Sequence, residues 1–93
     1  MAQKLRERSV TAENQFTDPA EIVGYFNISI SGNWVATVTV QRSFDKGSTW
    51  FDVDAWETNA QEYGFEAERG VQYRAGVKTG DYNGGTVVLR LSQ

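Results

Sequence analysis

The sequence predicts an all-β fold: a small immunoglobulin-like antiparallel β-sandwich of six or seven strands. Apolar and polar residues alternate along most of the chain, which is the pattern of half-buried strands. Clusters of turn residues separate these segments at intervals of roughly 8–12 residues, a spacing typical of sandwiches and barrels. No segment repeats apolar residues at the period of an amphipathic helix.

The first two strands are predicted to form a β-hairpin. Apolar and polar residues alternate over 25–31 and again over 34–43. Gly32 and Asn33 lie between these segments, and both residue types tolerate the positive φ of a tight turn. Two alternating segments joined by so short a connection are the usual signature of a hairpin.

Four further strands are predicted after the hairpin, each bounded by turn residues. They span 50–56, 61–67, 71–77 and 86–92. Each has an alternating pattern that leaves one face for the core, although the pattern is weaker in 61–67. Tyr73, near the start of the penultimate strand, occupies the place of the tyrosine corner of immunoglobulin-like domains.

Composition divides the chain into a polar N-terminal segment, residues 1–20, and a sandwich domain, residues 21–93. The N-terminal segment is interpreted either as a solvated tail or as an extended arm that docks on a neighbouring subunit. Lys4, Arg6 and Arg8 alternate within it and would project from one side of an extended chain, which makes them candidate interface residues. If the segment is an arm, deleting it should weaken attachment to that neighbouring subunit and leave the folded core intact.

The composition also argues against most kinds of enzyme. The 93 residues include no histidine and no cysteine, which removes the usual general base at neutral pH, thiolate ligands and disulfides. We predict no enzymatic activity, no bound metal ion, no cofactor and no small-molecule substrate. No apolar stretch approaches the length of a membrane span, so no membrane association is expected.

Charge is distributed unevenly along the sequence. Residues 1–8 hold three basic side chains and one acidic one, a net charge of +2, whereas the remaining residues hold six basic and eleven acidic ones, a net charge of −5. Phosphate contacts need clustered lysine and arginine. The acidic body therefore argues against binding to nucleic acid.

The segment 43–50 matches the Asp-box pattern S-x-D-x-G-x-T-W at every defined position. The residues that define the match are Ser43, Asp45, Gly47, Thr49 and Trp50. A carboxylate here accepts hydrogen bonds from backbone N–H groups that a tight turn leaves free. Glycine supplies the positive φ, and the tryptophan ring is expected to fold back over the turn and cover the apolar interior. The pattern predicts a structural hairpin turn and does not predict an activity.

Acidic residues near this turn suggest a calcium site as an alternative. Asp52 and Asp54 are predicted to share the outward face of the strand 50–56, with its apolar residues inward and Asp45 close to its end. Calcium takes six to eight oxygen ligands, but the spacing of an EF-hand loop is absent. Solvated carboxylates on an outward strand face explain the same residues.

Three aromatic residues are candidate surface contacts: Trp56, Tyr63 and Tyr82. Exposed aromatic rings occur both in sugar-binding modules and in protein interfaces. Tyr82 lies in the glycine-rich segment Gly-Asp-Tyr-Asn-Gly-Gly, which is predicted to be a turn, so we expect it to be the most exposed of the three. Alternatively, two of the three rings lie in the core or shield its edge.

Two segments resemble small virion proteins of tailed phages. They are FNISISGNWVATVTVQRSFDKGSTWFDV, residues 26–53, and GVQYRAGVKTGDYNGGTVVLRLSQ, residues 70–93. Residues 1–25 carry none of this resemblance. Members of the group are short β-sandwich proteins encoded among the head and neck genes. The resemblance implies a non-enzymatic structural subunit, in the first place a capsid decoration or cement protein attached to the head.

The resemblance also implies partners and a location. The partners would be the major capsid protein or other virion subunits, and the protein would form a homo-oligomer. It would be made in the host cytoplasm and reside in the virion, on the capsid exterior or in the head-to-tail region. Two alternatives remain: a neck or tail subunit of the virion, and a carbohydrate-binding β-sandwich module.

Overall fold

A computed structural model describes residues 4–93 of the chain, and within them every regular element is a β-strand. The nine strands are β1 (Leu5–Val10), β2 (Gln15–Phe16), β3 (Ala20–Glu21), β4 (Gly24–Ala36), β5 (Val38–Ser43), β6 (Phe51–Trp56), β7 (Ala60–Glu66), β8 (Gln72–Val77) and β9 (Tyr82–Ser92). No helix capable of crossing a membrane is found in residues 4–93.

The strands form two antiparallel sheets that pack face to face. Sheet A has the order β1-β9-β4-β7. Sheet B has the order β2-β8-β5-β6, and β3 pairs further along the same side of β8 as the chain passes from β2. The predicted antiparallel β-sandwich is therefore confirmed.

The order of the strands differs from that of immunoglobulin-like domains. In those domains the last two strands lie in one sheet. Here β9 lies between β1 and β4 in sheet A, whereas β8 lies in sheet B. When β2 and β3 are counted as one interrupted edge strand, the order is that of a jelly roll, a double-sheet sandwich of eight strands.

The core lies between the two sheets and is built from inward-facing apolar side chains of both. Its members are Val10, Ala20, Ile22, Phe26, Ile28, Ile30, Ala36, Val38, Val40, Val71, Tyr73, Ala75, Val77, Val87, Leu89 and Leu91. The alternation in 25–31 predicts the inward residues of that segment correctly, since Phe26, Ile28 and Ile30 are all buried.

The interpretation of residues 1–20 as a tail or docking arm is wrong for the described part of that segment. β1 pairs along its whole length with β9, and the chain from Gln15 to Ile22 runs along β8. Val10 and Ala20 belong to the core. Without this segment β8 and β9 would each expose an unpaired backbone edge, so the truncation would remove part of the fold. Residues 1–3 lie outside the described range.

The predicted hairpin between 25–31 and 34–43 is also wrong. Gly32 and Asn33 lie inside β4, which pairs with β9 on both sides of them, and β5 belongs to the other sheet. Gly32 has a φ of 101°. A Cβ there would collide with the Thr86 carbonyl group of β9. The glycine therefore permits a close approach of two long strands. In the sequence alone, a glycine in this role cannot be distinguished from a glycine in a turn.

The edge strand β6 contains a β-bulge. The register shifts so that Asp54 lies opposite Val40 and Asp52 opposite Gln41, which leaves Val53 without a partner on β5. Asp54 therefore shares the inward face of Val40, whereas Asp52 lies on the outer face. The prediction that the two aspartates share one outward face is wrong, because an inserted residue reverses the alternation.

Candidate functional surfaces

Three aromatic side chains form an exposed cluster on the outer face of sheet A. We call it the outer aromatic patch: Tyr25 on β4, with Tyr63 and Phe65 on β7. Tyr25 lies directly opposite Phe65 in the strand pairing. The three residues are 69 %, 73 % and 59 % exposed, respectively. The Tyr25 ring centroid lies 4.9 Å from that of Phe65 and 6.2 Å from that of Tyr63.

The rings of the patch are tilted against one another. Tyr25 and Phe65 meet at an interplanar angle of 61°, and Tyr25 and Tyr63 at 54°. The patch thus presents an uneven apolar surface and lacks the common plane on which a sugar chain stacks. Beside it lies a shallow depression of about 290 Å³, lined in part by Asn27, Gln61 and Arg90.

Of the three aromatic residues predicted to be surface contacts, only Tyr63 is exposed. Trp56 and Tyr82 are half-buried and pack against the core. The expectation that Tyr82 is the most exposed is wrong. The turn ends earlier, where Asp81 N–H donates to the Lys78 carbonyl oxygen at 3.1 Å, and Tyr82 already begins β9.

Sequence reasoning missed Tyr25 and Phe65 as surface candidates. A signal was present for Tyr25, since the alternation of 25–31 places it on the polar face with Asn27. A large aromatic residue on the polar face of a strand is a candidate contact residue when other exposed apolar residues lie beside it. Single exposed apolar residues are common and carry no such meaning. Phe65 becomes significant only through its pairing with Tyr25, which no local pattern reveals.

Lys4, directly before β1, and Arg6 and Arg8 within it project from one side of the chain, as the alternation predicts, but they contact the protein itself. Each donates a hydrogen bond to a backbone carbonyl oxygen of the segment that runs along β8. The pairs are Arg8 with Phe16 at 2.9 Å, Arg6 with Pro19 at 3.1 Å, and Lys4 with Glu21. These bonds join the edge of sheet A to the edge of sheet B and close that side of the sandwich. The three residues are therefore already engaged within the subunit.

The opposite side of the sandwich, between β6 and β7, is open. We call this opening the β6–β7 groove. Its apolar lining includes Phe26, Ile28, Val40 and Trp56, and its volume is about 140 Å³. The carboxylate-bearing residues Asp54 and Glu62 also line it. Neither has an ion-pair partner among residues 4–93.

The turn over residues 43–50 has the hydrogen bonds that the sequence pattern suggests. Asp45 Oδ1 accepts from the Ser43 hydroxyl at 2.7 Å and from Thr49 N–H at 2.8 Å. Gly47, at a φ of 94°, donates its N–H to Ser43 Oγ at 2.8 Å. The Ser43 hydroxyl and then the Thr49 N–H lower the pKa of Asp45 below its ordinary value.

Trp50 does not cover the apolar interior, contrary to the prediction. Its ring lies on the outer face of sheet B, where the Arg74 guanidinium is 4.2 Å from its centroid. The same guanidinium lies 3.9 Å from the centroid of Phe16, so the cation is held between two rings. Arg74 Nε also donates to Gln41 Oε1 at 2.9 Å. The tryptophan thus joins the turn to the outer surface of the sheet.

The aspartates considered for calcium are dispersed. Asp52 accepts hydrogen bonds from Lys78 Nζ at 2.7 Å and from Gln41 Nε2 at 2.9 Å. Asp54 lies across the strand, in the β6–β7 groove. Within residues 4–93 no group of three or more acidic side chains is arranged to hold a metal ion.

No protein-family model, curated protein or solved structure matches this chain.

Proposed function

We propose that this protein is a non-enzymatic structural subunit of a tailed-phage particle, in the first place a capsid decoration or cement subunit. The outer aromatic patch is the observation that carries the proposal. Three neighbouring aromatic residues are more than half exposed on one face of a small domain. Contiguous exposed apolar surface of this kind marks contact with another macromolecule, and protein interfaces are enriched in aromatic residues.

The shape of the patch favours a protein partner over a carbohydrate. Because its rings meet at interplanar angles of 54° and 61°, the patch has an uneven surface. A complementary protein surface can match such a shape by close packing. The partners proposed are the major capsid protein or another virion subunit, and the protein would act there as a homo-oligomer. Many copies on a symmetric shell would combine modest individual affinities through multivalency.

The resemblance of residues 26–93 to small virion proteins supports the same class of function. The jelly-roll order adds only an analogy, since sandwiches of this kind occur in viral capsids and in lectins alike. A neck or tail subunit would use the same surface in fewer copies. Location in the virion, after synthesis in the host cytoplasm, is part of the proposal.

A sedimentation assay tests the role of the patch. Purified protein is mixed with phage particles assembled without it, and the fraction that sediments with the particles is measured. The variant Tyr25→Thr/Tyr63→Thr/Phe65→Thr should lose most of this binding, because threonine keeps the strand propensity and removes the apolar area. Val35→Thr is the matched control, since Val35 is 65 % exposed outside the patch. Equal sedimentation of the triple variant and wild type would contradict the proposed contact.

The same variant addresses the carbohydrate-binding alternative. The depression lined by Asn27, Gln61 and Arg90 places polar groups beside Tyr63, which is the observation in favour of that function. A glycan array that shows specific binding by wild type, lost in the triple variant, would support a sugar-binding module instead.

A further inference from the structure

We propose that the free edge of β7 accepts an extended strand from another chain, one in which basic and apolar side chains alternate. β7 is the terminal strand of sheet A, and within residues 4–93 it pairs on one side only. Its seven residues pair with β4 without a register shift. Such an edge offers a straight row of backbone donors and acceptors for strand addition.

The inward side of an added strand would face the β6–β7 groove. Glu62 lies opposite the buried Ile28 in the strand pairing, so its side chain is on the inward face of β7. Asp54 is on the inward face of β6, in the opposing sheet. A lysine or arginine placed beside Glu62 would lay its aliphatic stem over the apolar lining and bring its charged end to the two carboxylates.

The outward side of the added strand would lie beside the outer aromatic patch. Tyr63 and Phe65 occupy alternate positions of β7 and are exposed on the outer face. Side chains opposite them would be apolar, since aromatic residues pair well across strands with β-branched ones. The two faces of β7 together specify alternation of basic and apolar residues.

On the opposite side of the sandwich, basic side chains of an edge strand already close the gap between the two sheets. There β1 carries Arg6 and Arg8 on its inward face, and their side chains span to the edge of sheet B. The β6–β7 side is lined by carboxylates and has no equivalent strand among residues 4–93. A basic strand from outside would complete it with the same kind of side chain.

A second copy of β7 does not meet these requirements. Pairing of two β7 strands would place both copies of Glu62 on the same inward surface, close to Asp54 of each copy. Like charges on one sheet face are destabilising, and β7 itself contains no basic residue to offset them. Inward-pointing charges on edge strands are a recognised protection against self-pairing. The same carboxylates select a basic partner.

A synthetic peptide provides the test with the full-length protein. The probe is acetylated and amidated Thr-Val-Lys-Val-Lys-Val-Thr, which has the seven-residue length of β7. With its central valine opposite Tyr63, its lysines lie opposite Glu62 and Gly64 and point into the groove. Titration followed by NMR should give saturable shifts of the β7 amides. Hydrogen exchange should slow at those β7 amides that do not bond to β4.

Variants and control peptides separate strand addition from general attraction between opposite charges. Glu62→Gln should weaken binding about fivefold, and Glu62→Lys by more than about tenfold. Glu21→Gln, an exposed carboxylate on the opposite edge, should leave the affinity unchanged. A peptide of equal charge with a central proline should not bind, because it cannot form the backbone ladder. Equal binding of the proline peptide, or an unchanged affinity in Glu62→Lys, would overturn the proposal.

The peptide test is independent of the proposed virion role. It uses purified protein alone, so a strand-binding edge can be found whether or not the protein resides in a phage particle. Conversely, a protein that sediments with particles and ignores the peptide would retain the virion role and lose the acceptor site.

Discussion

The Tyr73 hydroxyl, in sheet B, donates a 2.7 Å hydrogen bond to Oε1 of Glu66, in sheet A. The same oxygen is 3.2 Å from Arg42 Nη1, and Glu66 Oε2 accepts the N–H of Glu68 at 3.0 Å. Glu66 and Tyr73 are both buried. This cluster joins the two sheets at the end of β7. The partner of Tyr73 is thus a side chain, whereas in a tyrosine corner it is a backbone group.

Tyr73→Phe should lower the free energy of unfolding by about 1–3 kcal/mol, because the buried Glu66 carboxylate loses a hydrogen-bond donor. Urea unfolding at neutral pH measures the change. Lys78→Met, which breaks a more exposed ion pair with Asp52, serves as the comparison and should have a much smaller effect. Equal losses of stability in the two variants would show that the buried cluster stabilises the fold no more than an exposed ion pair does.

Acid should weaken the fold through Glu66. Burial opposes its ionisation, but the hydrogen bonds from Tyr73 and Glu68 and the charge of Arg42 outweigh burial and lower the pKa of Glu66 below its ordinary value. A group with a lowered pKa stabilises the folded state above its unfolded pKa, and this contribution is lost as the pH falls through the folded value. Stability should therefore decline below about pH 4.5. Urea unfolding across this range should show a shallower decline in Glu66→Gln than in wild type. An identical decline in Glu66→Gln and wild type would contradict the assignment of this acid sensitivity to Glu66.

Asp45→Ala should lower the melting temperature by several degrees, as the loss of a local cap usually does. The variant removes the acceptor of the Ser43 hydroxyl and of the Thr49 N–H. It should leave particle attachment intact, since this turn connects β5 and β6 of sheet B, whereas the outer aromatic patch lies on the outer face of sheet A. Asp81→Ala provides a control in another turn. An unchanged melting temperature would show that these hydrogen bonds do not stabilise the turn.

Gly64→Ala should destabilise the edge of sheet A by about 1–3 kcal/mol through overpacking. A Cβ at this position would lie 2.7 Å from the Phe26 ring, which is buried against Tyr73. Gly84→Ala is a suitable control, because a Cβ there meets no atom within 4 Å. Thermal unfolding compares the two. A loss in Gly84→Ala as large as that in Gly64→Ala would argue against the collision.

Deletion of residues 1–10 should prevent stable folding. The deletion removes β1 and the core residue Val10, and it exposes the edge of β9. Circular dichroism and cooperative urea unfolding measure the outcome. The conservative variant Val10→Ala should remain folded with a loss of about 1–3 kcal/mol. A cooperatively folded truncated chain would restore the view that this segment is an arm.

The sequence predicts the fold class because alternation is a local property of each strand. The inward placement of Phe26, Ile28 and Ile30 follows directly from it. The pairing of strands is not local, so Gly32 and Asn33 suggest a hairpin although they lie within one continuous strand. The bulge in β6 depends on its register with β5 and reverses the faces of Asp54 and its neighbours.

The candidate surface is only partly predictable for the same reason. The exposure of Tyr63 is predicted correctly, and its role as a contact residue stays a prediction. Tyr82 is wrongly predicted to lie in an exposed turn, because the turn-forming residues around it also fit the start of a strand. The outer aromatic patch depends on β7 lying beside β4, which brings Phe65 next to Tyr25. A basic alternation in β1 is visible in the sequence, but its carbonyl acceptors appear only once the two sheet edges are adjacent.

The most direct test of the proposed virion role is the copy number of this chain in purified phage particles. Quantitative mass spectrometry would compare it with the major capsid protein. A ratio near one to one, or one copy per few capsid subunits, is the result we predict for a decoration subunit, and a much lower ratio would move it to the neck or tail. Absence of the chain from the particle would contradict the account.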